Sequence, residues 1–183
     1  MPKELPIRIL GDEILRTKSR EVDLNEPGLK EFIKDLSFTM YLRDGVGLAA
    51  NQVGQALRIF VIDPYWAREE EAEMNPIVMI NPEILSGEGE QVYEEGCISL
   101  PDIYANVQRP NKIEYRYMDE EGKVHTKQAE GYEAVVIQHE YDHLEGVVFT
   151  DHLGTLSRLR VLPKLKALES RAVDGVNIRS KDE

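Results

Sequence analysis

Gln138-His139-Glu140-Tyr141-Asp142-His143 is the stretch on which the reading of this chain turns, because it contains the pattern H-E-x-x-H. Residues four apart lie on one face of a helix. His139 and His143 can therefore address a single ion, with Glu140 beside the first of them. That arrangement suits a metal-activated water and a carboxylate that takes its proton. The segment upstream reads as a helix, since Tyr132, Val135, Val136, His139 and His143 recur at helical spacing. The stripe is apolar at its start and imidazole at its end, and Gly146 is a stop signal. The bland alternative is two histidines on a helix by chance, one satisfied in the core. Three fixed residue types on one buried stripe weigh against it.

A hydrolytic metal needs a third protein ligand and an open position. One protease class extends the motif to H-E-x-x-H-x-x-G-x-x-H; Gly146 fits, but Phe149 stands where the last ligand is required. Another uses a glutamate further downstream, and Glu169 is the only acid in the basic stretch that follows. Upstream stands the single cysteine, Cys97, in Glu95-Gly96-Cys97-Ile98-Ser99-Leu100-Pro101.

A chain of 183 residues with 42% hydrophobic and 31% charged residues fits a single catalytic domain over residues 1–183. No early apolar run resembles a signal peptide, and no stretch approaches a membrane span. One cysteine cannot form an internal disulfide, so the expected setting is reducing and cytoplasmic. A formal net charge of -12 argues against DNA as a partner. The charge is uneven, however. Residues 155–172 hold five basic side chains, Arg158, Arg160, Lys164, Lys166 and Arg171, against the one acid Glu169.

Taken in order, Asp12–Arg16 reads as a short helical turn, and Asn25-Glu26-Pro27 as a helix start. Leu29, Phe32, Ile33, Leu36 and Met40 then mark one buried helix face. Asp44-Gly45-Val46-Gly47-Leu48-Ala49-Ala50-Asn51-Gln52 is a loop whose backbone can approach something closely, although taken alone a tight turn followed by close packing is the favoured reading. Arg58–Asp63 and Ile77–Asn81 read as strands. Between them runs a loop with the acidic run Glu69–Glu73, read as solvated surface, and Trp66 is expected to pack that loop. Lys112–Met118 and Lys123–Ala129 form a hairpin, with His125 a plain surface histidine. Val147–Phe149 reads as a short strand, His152 stays outside the site, and residues 173–183 read as a flexible tail.

Three segments now stand together: Gly45-Val46-Gly47-Leu48-Ala49-Ala50-Asn51-Gln52, Glu95-Gly96-Cys97-Ile98-Ser99 and Gln138-His139-Glu140-Tyr141-Asp142-His143. Their order and separation resemble the peptide deformylase family, whose signatures are G-x-G-x-A-A-x-Q, E-G-C-x-S and H-E-x-D-H. The resemblance covers most of the chain and looks like the bacterial type with a C-terminal helix. It implies an α+β fold in which small antiparallel sheets pack around a central metal-binding helix, with an N-terminal and a C-terminal helix. It implies removal of the formyl group from N-formylmethionine of newly made polypeptides, releasing formate, by attack of a metal-bound hydroxide. It implies one divalent metal, Fe2+ in cells, with Ni2+, Co2+ or Zn2+ able to occupy the site.

Carried over by motif position, Cys97, His139 and His143 look like the ligands and Glu140 like the general acid and base. Gln52 and the backbone N–H of Ile98 look like donors to the developing oxyanion. Gly45, Val46, Gly47, Tyr93, Glu95, Gly96, Tyr132, Val135 and Val136 look like the substrate-binding set. Asp142 leans to a structural role. The chain departs from the family pattern in three places. Ile98 replaces the commoner Leu, Asp102-Ile103-Tyr104 stands where an Arg often follows, and Pro163 is expected to break the C-terminal helix. Ribosome docking through residues 155–172, known for some members, competes with a plain solvated helix face. Three other classes compete with the enzyme as a whole: a Cys–His hydrolase, a zincin-type protease, and a metal-storage or metal-sensing protein. The first leaves His143 and Glu140 idle, the second lacks a downstream ligand, and the third has no use for Glu140 or Gln52.

Overall fold

A computed structural model of the chain describes residues 1–69 and 73–183. Its regular elements, in chain order, are α1 (Leu29–Leu42), β1 (Gly47–Ala49), β2 (Ile59–Ile62), β3 (Ile77–Glu88), β4 (Gln91–Cys97), β5 (Leu100–Arg109), β6 (Lys112–Met118), β7 (Val124–Glu130), α2 (Gly131–Leu144) and α3 (Thr155–Glu169). A five-stranded sheet runs β1-β2-β3-β6-β7, and β4 pairs with β5 in a second, two-stranded sheet. Every ladder is antiparallel. This is the expected α+β class. Among the described residues no helix is long and apolar enough to cross a membrane.

The centre of the fold is β2. Successive side chains of a strand point to opposite faces, and all four residues of β2 are buried. Ile59 and Val61 join a core with Ile33, Leu36 and Met40 of α1. Phe60 and Ile62 join a second core with Ala134, Val136 and Ile137 of α2 and with Ile113, Tyr115 and Tyr117 of β6. One strand thus carries α1 on one side and α2 on the other. The hairpin β6–β7 follows the expected pairing, closed at Gly122 with φ 87°.

Several local expectations give way to tertiary structure. Asn25 does not cap α1; the helix begins after Gly28, whose φ of 78° makes the turn. The Glu26 carboxylate is taken instead by Arg20 at 2.8 Å. β3 runs well past Asn81, because a left-handed Asn81 (φ 50°) and two register shifts let it bend and continue along β6. Val147–Phe149 forms no strand. Val148 leads into a tight helical turn, Phe149–His152, where its N–H donates to Asp151 at 3.0 Å. Glu70, Glu71 and Ala72 of the acidic run lie outside the described residues. Trp66 does pack its loop, edge-on to Tyr41, and its Nε1 donates to the Gly45 carbonyl at 2.9 Å.

The C-terminal region departs most from expectation. α3 passes through Pro163 without a break. A proline removes one helical hydrogen bond. Here Pro163 and Leu159, whose carbonyl loses its donor, are both exposed, so water can take that place. The stretch expected to be a flexible tail packs against the N-terminal segment. Asn177 is buried; its N–H donates to Asp12 at 2.9 Å, and its Nδ2 donates to the carbonyls of Leu10 at 2.7 Å and Leu168 at 2.8 Å. Ile178 bridges to Arg8. A single amide side chain satisfies the end of α3 and the N-terminal turn together, which a polar tail composition conceals.

Candidate active site

α2 is buried almost all round, from Ala134 to Glu140 and again at His143. Its imidazole-bearing face is met by the tip of the β4–β5 hairpin, a two-residue link of Ile98 and Ser99. Cys97, the last residue of β4, thereby reaches the helix, and its Sγ lies 3.3 Å from His143 Nε2. The ligand atoms of Cys97, His139 and His143 all lie within 4.8 Å of one another. Among the described residues this is the group suited to hold a metal. Phe149 is instead a buried core residue against the His139 ring, so the downstream ligand positions of protease patterns are not used. α2 stops at Gly146 as expected. A Cβ there would meet the Arg16 carbonyl oxygen at 2.8 Å, and φ is 74°.

The two glycines of the early loop have separate steric causes. A Cβ on Gly47 would stand 2.5 Å from Glu140 Oε2, and one on Gly45 would stand 2.5 Å from Ile98 Cδ1. Neither position tolerates a side chain while those neighbours stay in place. The loop then passes through β1 into a tight turn, Ala50–Val53, which presents Gln52. Gln52 is buried; its Oε1 accepts from the Ala49 N–H at 2.9 Å, which fixes the amide. Its Nε2 donates to Ser99 Oγ at 2.9 Å and reaches Cys97 Sγ at 3.5 Å.

Behind the ligands lies a chain of charge that sequence reasoning missed. Arg109 Nε donates to Glu95 Oε2 at 2.7 Å and Nη2 to Oε1 at 2.9 Å. Glu95 Oε1 also lies 2.9 Å from His139 Nδ1, which places the imidazole proton there and leaves Nε2 for the ligand cluster. Arg109 Nη1 donates to Asp142 at 2.9 Å, and Asp142 also holds His152 Nε2 at 2.7 Å. Glu95 lines the cavity, but both its oxygens are engaged, so it orients a ligand. His152 and Asp142 belong to the same support. No local motif marks Arg109; β4–β5 pairing sets it opposite Gln91, from where its side chain reaches along the hairpin to Glu95.

A cavity of about 440 Å³ opens over the cluster, and every site residue expected from the sequence except His143 lines it. His143 lies beneath, 1% exposed. Tyr132, Val135 and His139 share the wall as their spacing implied. Residues not anticipated also reach the cavity, among them Arg43, Arg68 and Arg179. Arg68 lies over the Tyr132 ring, 3.8 Å from its centroid, and donates to Tyr93 Oη at 2.8 Å.

The profile of the polypeptide deformylase family matches residues 4–159. A peptide deformylase of Mesorhizobium japonicum is 46% identical over 93% of this chain and 96% of its own. The chain belongs to the polypeptide deformylase family. Peptide deformylases of known structure agree. That of Legionella pneumophila superposes with TM-score 0.79 at 39% identity, over 94% of this chain and 100% of that one. That of Thermus thermophilus gives 0.82 at 38% identity, over 92% and 99%. The protein is accordingly a hydrolase of this family, removing the formyl group from N-formylmethionine of nascent peptides in a metal-dependent reaction.

The deformylase site holds carboxyls of opposite character. Burial pushes Glu140 up to about 7, and its Oε1 is buried with no protein partner. Burial also acts on Glu95, but the bonds from His139 and Arg109 outweigh it and hold the carboxyl at about 2. A carboxylate whose pKa is lower folded than unfolded adds stability above its unfolded value and loses it as pH falls through the folded one. For Glu95 that window runs from about 4.5 down to about 2. Thermal melts of the metal-free protein are expected to fall across this window. Arg109→Met should move the acid limb to higher pH and lower the melting temperature at neutral pH. An unmoved acid limb would contradict the assignment.

Proposed function

We propose that Cys97, His139 and His143 together hold one divalent ion, ferrous iron in the cell, and that the chain acts in the cytoplasm on nascent formyl-Met peptides. The supporting observation is the convergence of one thiol and two imidazoles within 4.8 Å beside the buried carboxyl of Glu140. A sulfur and two ring nitrogens suit iron, nickel, cobalt and zinc alike, and the oriented His139 tautomer fits a ligand role. When bound, such an ion supplies Lewis acidity, lowering the pKa of a water toward about 7 and polarising the formyl oxygen.

The remaining steps belong to the chain. Glu140 takes the proton of the attacking water and returns it to the leaving nitrogen, an exchange typically worth about 10²–10⁴ in rate. A carboxyl near 7 is suited to both directions at neutral pH. The Gln52 amide and the Ile98 N–H donate to the formyl oxygen as it gains charge, each worth about 10²–10³. Formate and a free methionine amine leave. Val46, Tyr93, Tyr132, Val135 and Val136 offer the methionine slot. β1 is an edge strand of its sheet, so an extended peptide can pair with its free side. Residues 1–183 act as one catalytic domain in this reading, supported by the packing of residues 173–179 on the N-terminal segment.

Glu140→Gln should retain about one ion per chain and lower formate release from formyl-Met-Ala-Ser at least about 10²-fold. Unchanged turnover would remove Glu140 from the acid–base role. Val135→Trp should raise KM for formyl-Met substrates about tenfold or more at unchanged ion content, whereas wild-type kinetics would remove Val135 from the slot. The basic helix α3, unbroken and with Arg160 and Lys166 exposed, is our candidate surface for ribosomal RNA. Co-sedimentation with ribosomes should weaken in Arg160→Glu/Lys166→Glu; equal pelleting would end that reading.

A further inference from the structure

Outside the three motifs, a basic side chain bonds to the two-residue tip of the β4–β5 hairpin. Arg179 lines the cavity with Cys97 and Ile98, and its Nη1 donates to the Ile98 carbonyl at 2.8 Å. It comes from residues 173–179, which are strapped down at successive points. The Ile9 N–H donates to the Asn177 carbonyl at 2.9 Å, Ile178 bridges to Arg8, and the Arg179 N–H donates to the Ile7 carbonyl at 2.8 Å. The Asn177 side chain locks the strap to Leu10 and Leu168. The guanidinium therefore approaches the hairpin tip from a fixed base.

We propose that Arg179 is a positioning residue for catalysis and that the strap carrying it is part of the active-site frame. The inference rests on the reading of Cys97 as ligand and of the Ile98 N–H as oxyanion donor. The tip is only two residues long, so Ile98 follows Cys97 directly and Ser99 alone separates it from β5. Ser99 is already held, by Gln52 Nε2 on its Oγ at 2.9 Å and by the Leu10 N–H on its carbonyl at 3.0 Å. Arg179 fixes the adjoining carbonyl of Ile98. With the two peptide groups after Ile98 restrained on one side and Cys97 drawn to His143 on the other, the single residue between them has little room to turn, and the direction of its N–H follows. A bond from a charged donor is roughly twice as strong as a neutral one, which suits a joint that must not rock. Displacement of a reacting group by about 1 Å can cost about 10²-fold in rate. Gly45 completes the frame, since its missing side chain leaves room for Ile98 Cδ1.

The test compares wild type, Arg179→Met and Arg179→Lys, each loaded with nickel. Formate release from formyl-Met-Ala-Ser is read as kcat and KM separately, beside ion content and amide hydrogen exchange of the segment 97–100. Arg179→Met is expected to lose about tenfold or more in kcat with KM within about twofold, because ground-state binding is untouched. It should keep about one ion per chain and exchange faster at 97–100. Arg179→Lys, which keeps a charged donor, should recover most of kcat. Should the Met variant not fold, Asn177→Ala loosens the strap from behind and should give the same kcat loss and the same faster exchange. A kcat that stays at the wild-type value per folded, ion-loaded chain, or an exchange rate at 97–100 that does not move, overturns the proposal. A wild type that releases no formate would instead overturn the catalytic reading, while the exchange comparison still judges the role of Arg179.

Discussion

The structure depends on one buried carboxylate. Glu95 is held on one side by the Arg109 fork and on the other by His139. It sits on β4, whose next-but-one residue is Cys97, so the strand that delivers the sulfur also fixes an imidazole. Arg109 lies on the partner strand of the same hairpin and bonds to α2 at Asp142. The hairpin thus grips the helix at His139 and at Asp142. Buried ion pairs of this kind add little net stability, because desolvation offsets their attraction. Their value here is geometric, since they set the tautomer, the ring plane and the helix-to-hairpin spacing together.

A second constraint is steric and comes from absent side chains. Glu140 points back at the β1 loop, and only a glycine at position 47 leaves it space; Ile98 makes the same demand of position 45. The loop that carries both glycines runs into β1, which pairs with β2, a strand buried on both faces. Rigid two-sided packing is what holds three separate segments in register around one cluster.

What could be read from the sequence was whatever has a local signature. The helical stripe before His139, the alternation of β6 and β7 and the glycine stop at 146 are short-range patterns, and each stands as read. The Cys97, His139 and His143 group, which could hold a metal, was legible because its motifs are themselves local. What escaped was non-local. Arg109 and His152 matter through partners 14 and 10 residues away across a hairpin and a turn. Asn25 looked like a cap, yet Glu26 had a better use with Arg20 and Gly28 made the turn. Pro163 looked like a break, yet an exposed helix face forgives one lost hydrogen bond. The last residues looked unstructured because Asn177, a turn former by composition, is here a buried bracket.

Two glutamates flank the chemistry, and their environments drive them apart. Glu95, close to Arg109 and His139, stays ionised and serves as a fixed negative pole; Glu140, buried with one oxygen free of protein partners, is raised toward neutrality. Carboxyls separated in this way can be assigned roles from their surroundings alone. The first is held low and has both oxygens committed to Arg109 and His139. The second is pushed up by burial to about 7 and keeps an oxygen with no protein partner, which suits the proton-transfer role proposed for it. His139 has its Nδ1 committed to the first, which leaves its Nε2 for the group with Cys97 and His143. The proposed acid–base assignment rests on what each carboxyl touches: guanidinium and imidazole for the one that would hold, a glycine gap and an open cavity for the one that would transfer.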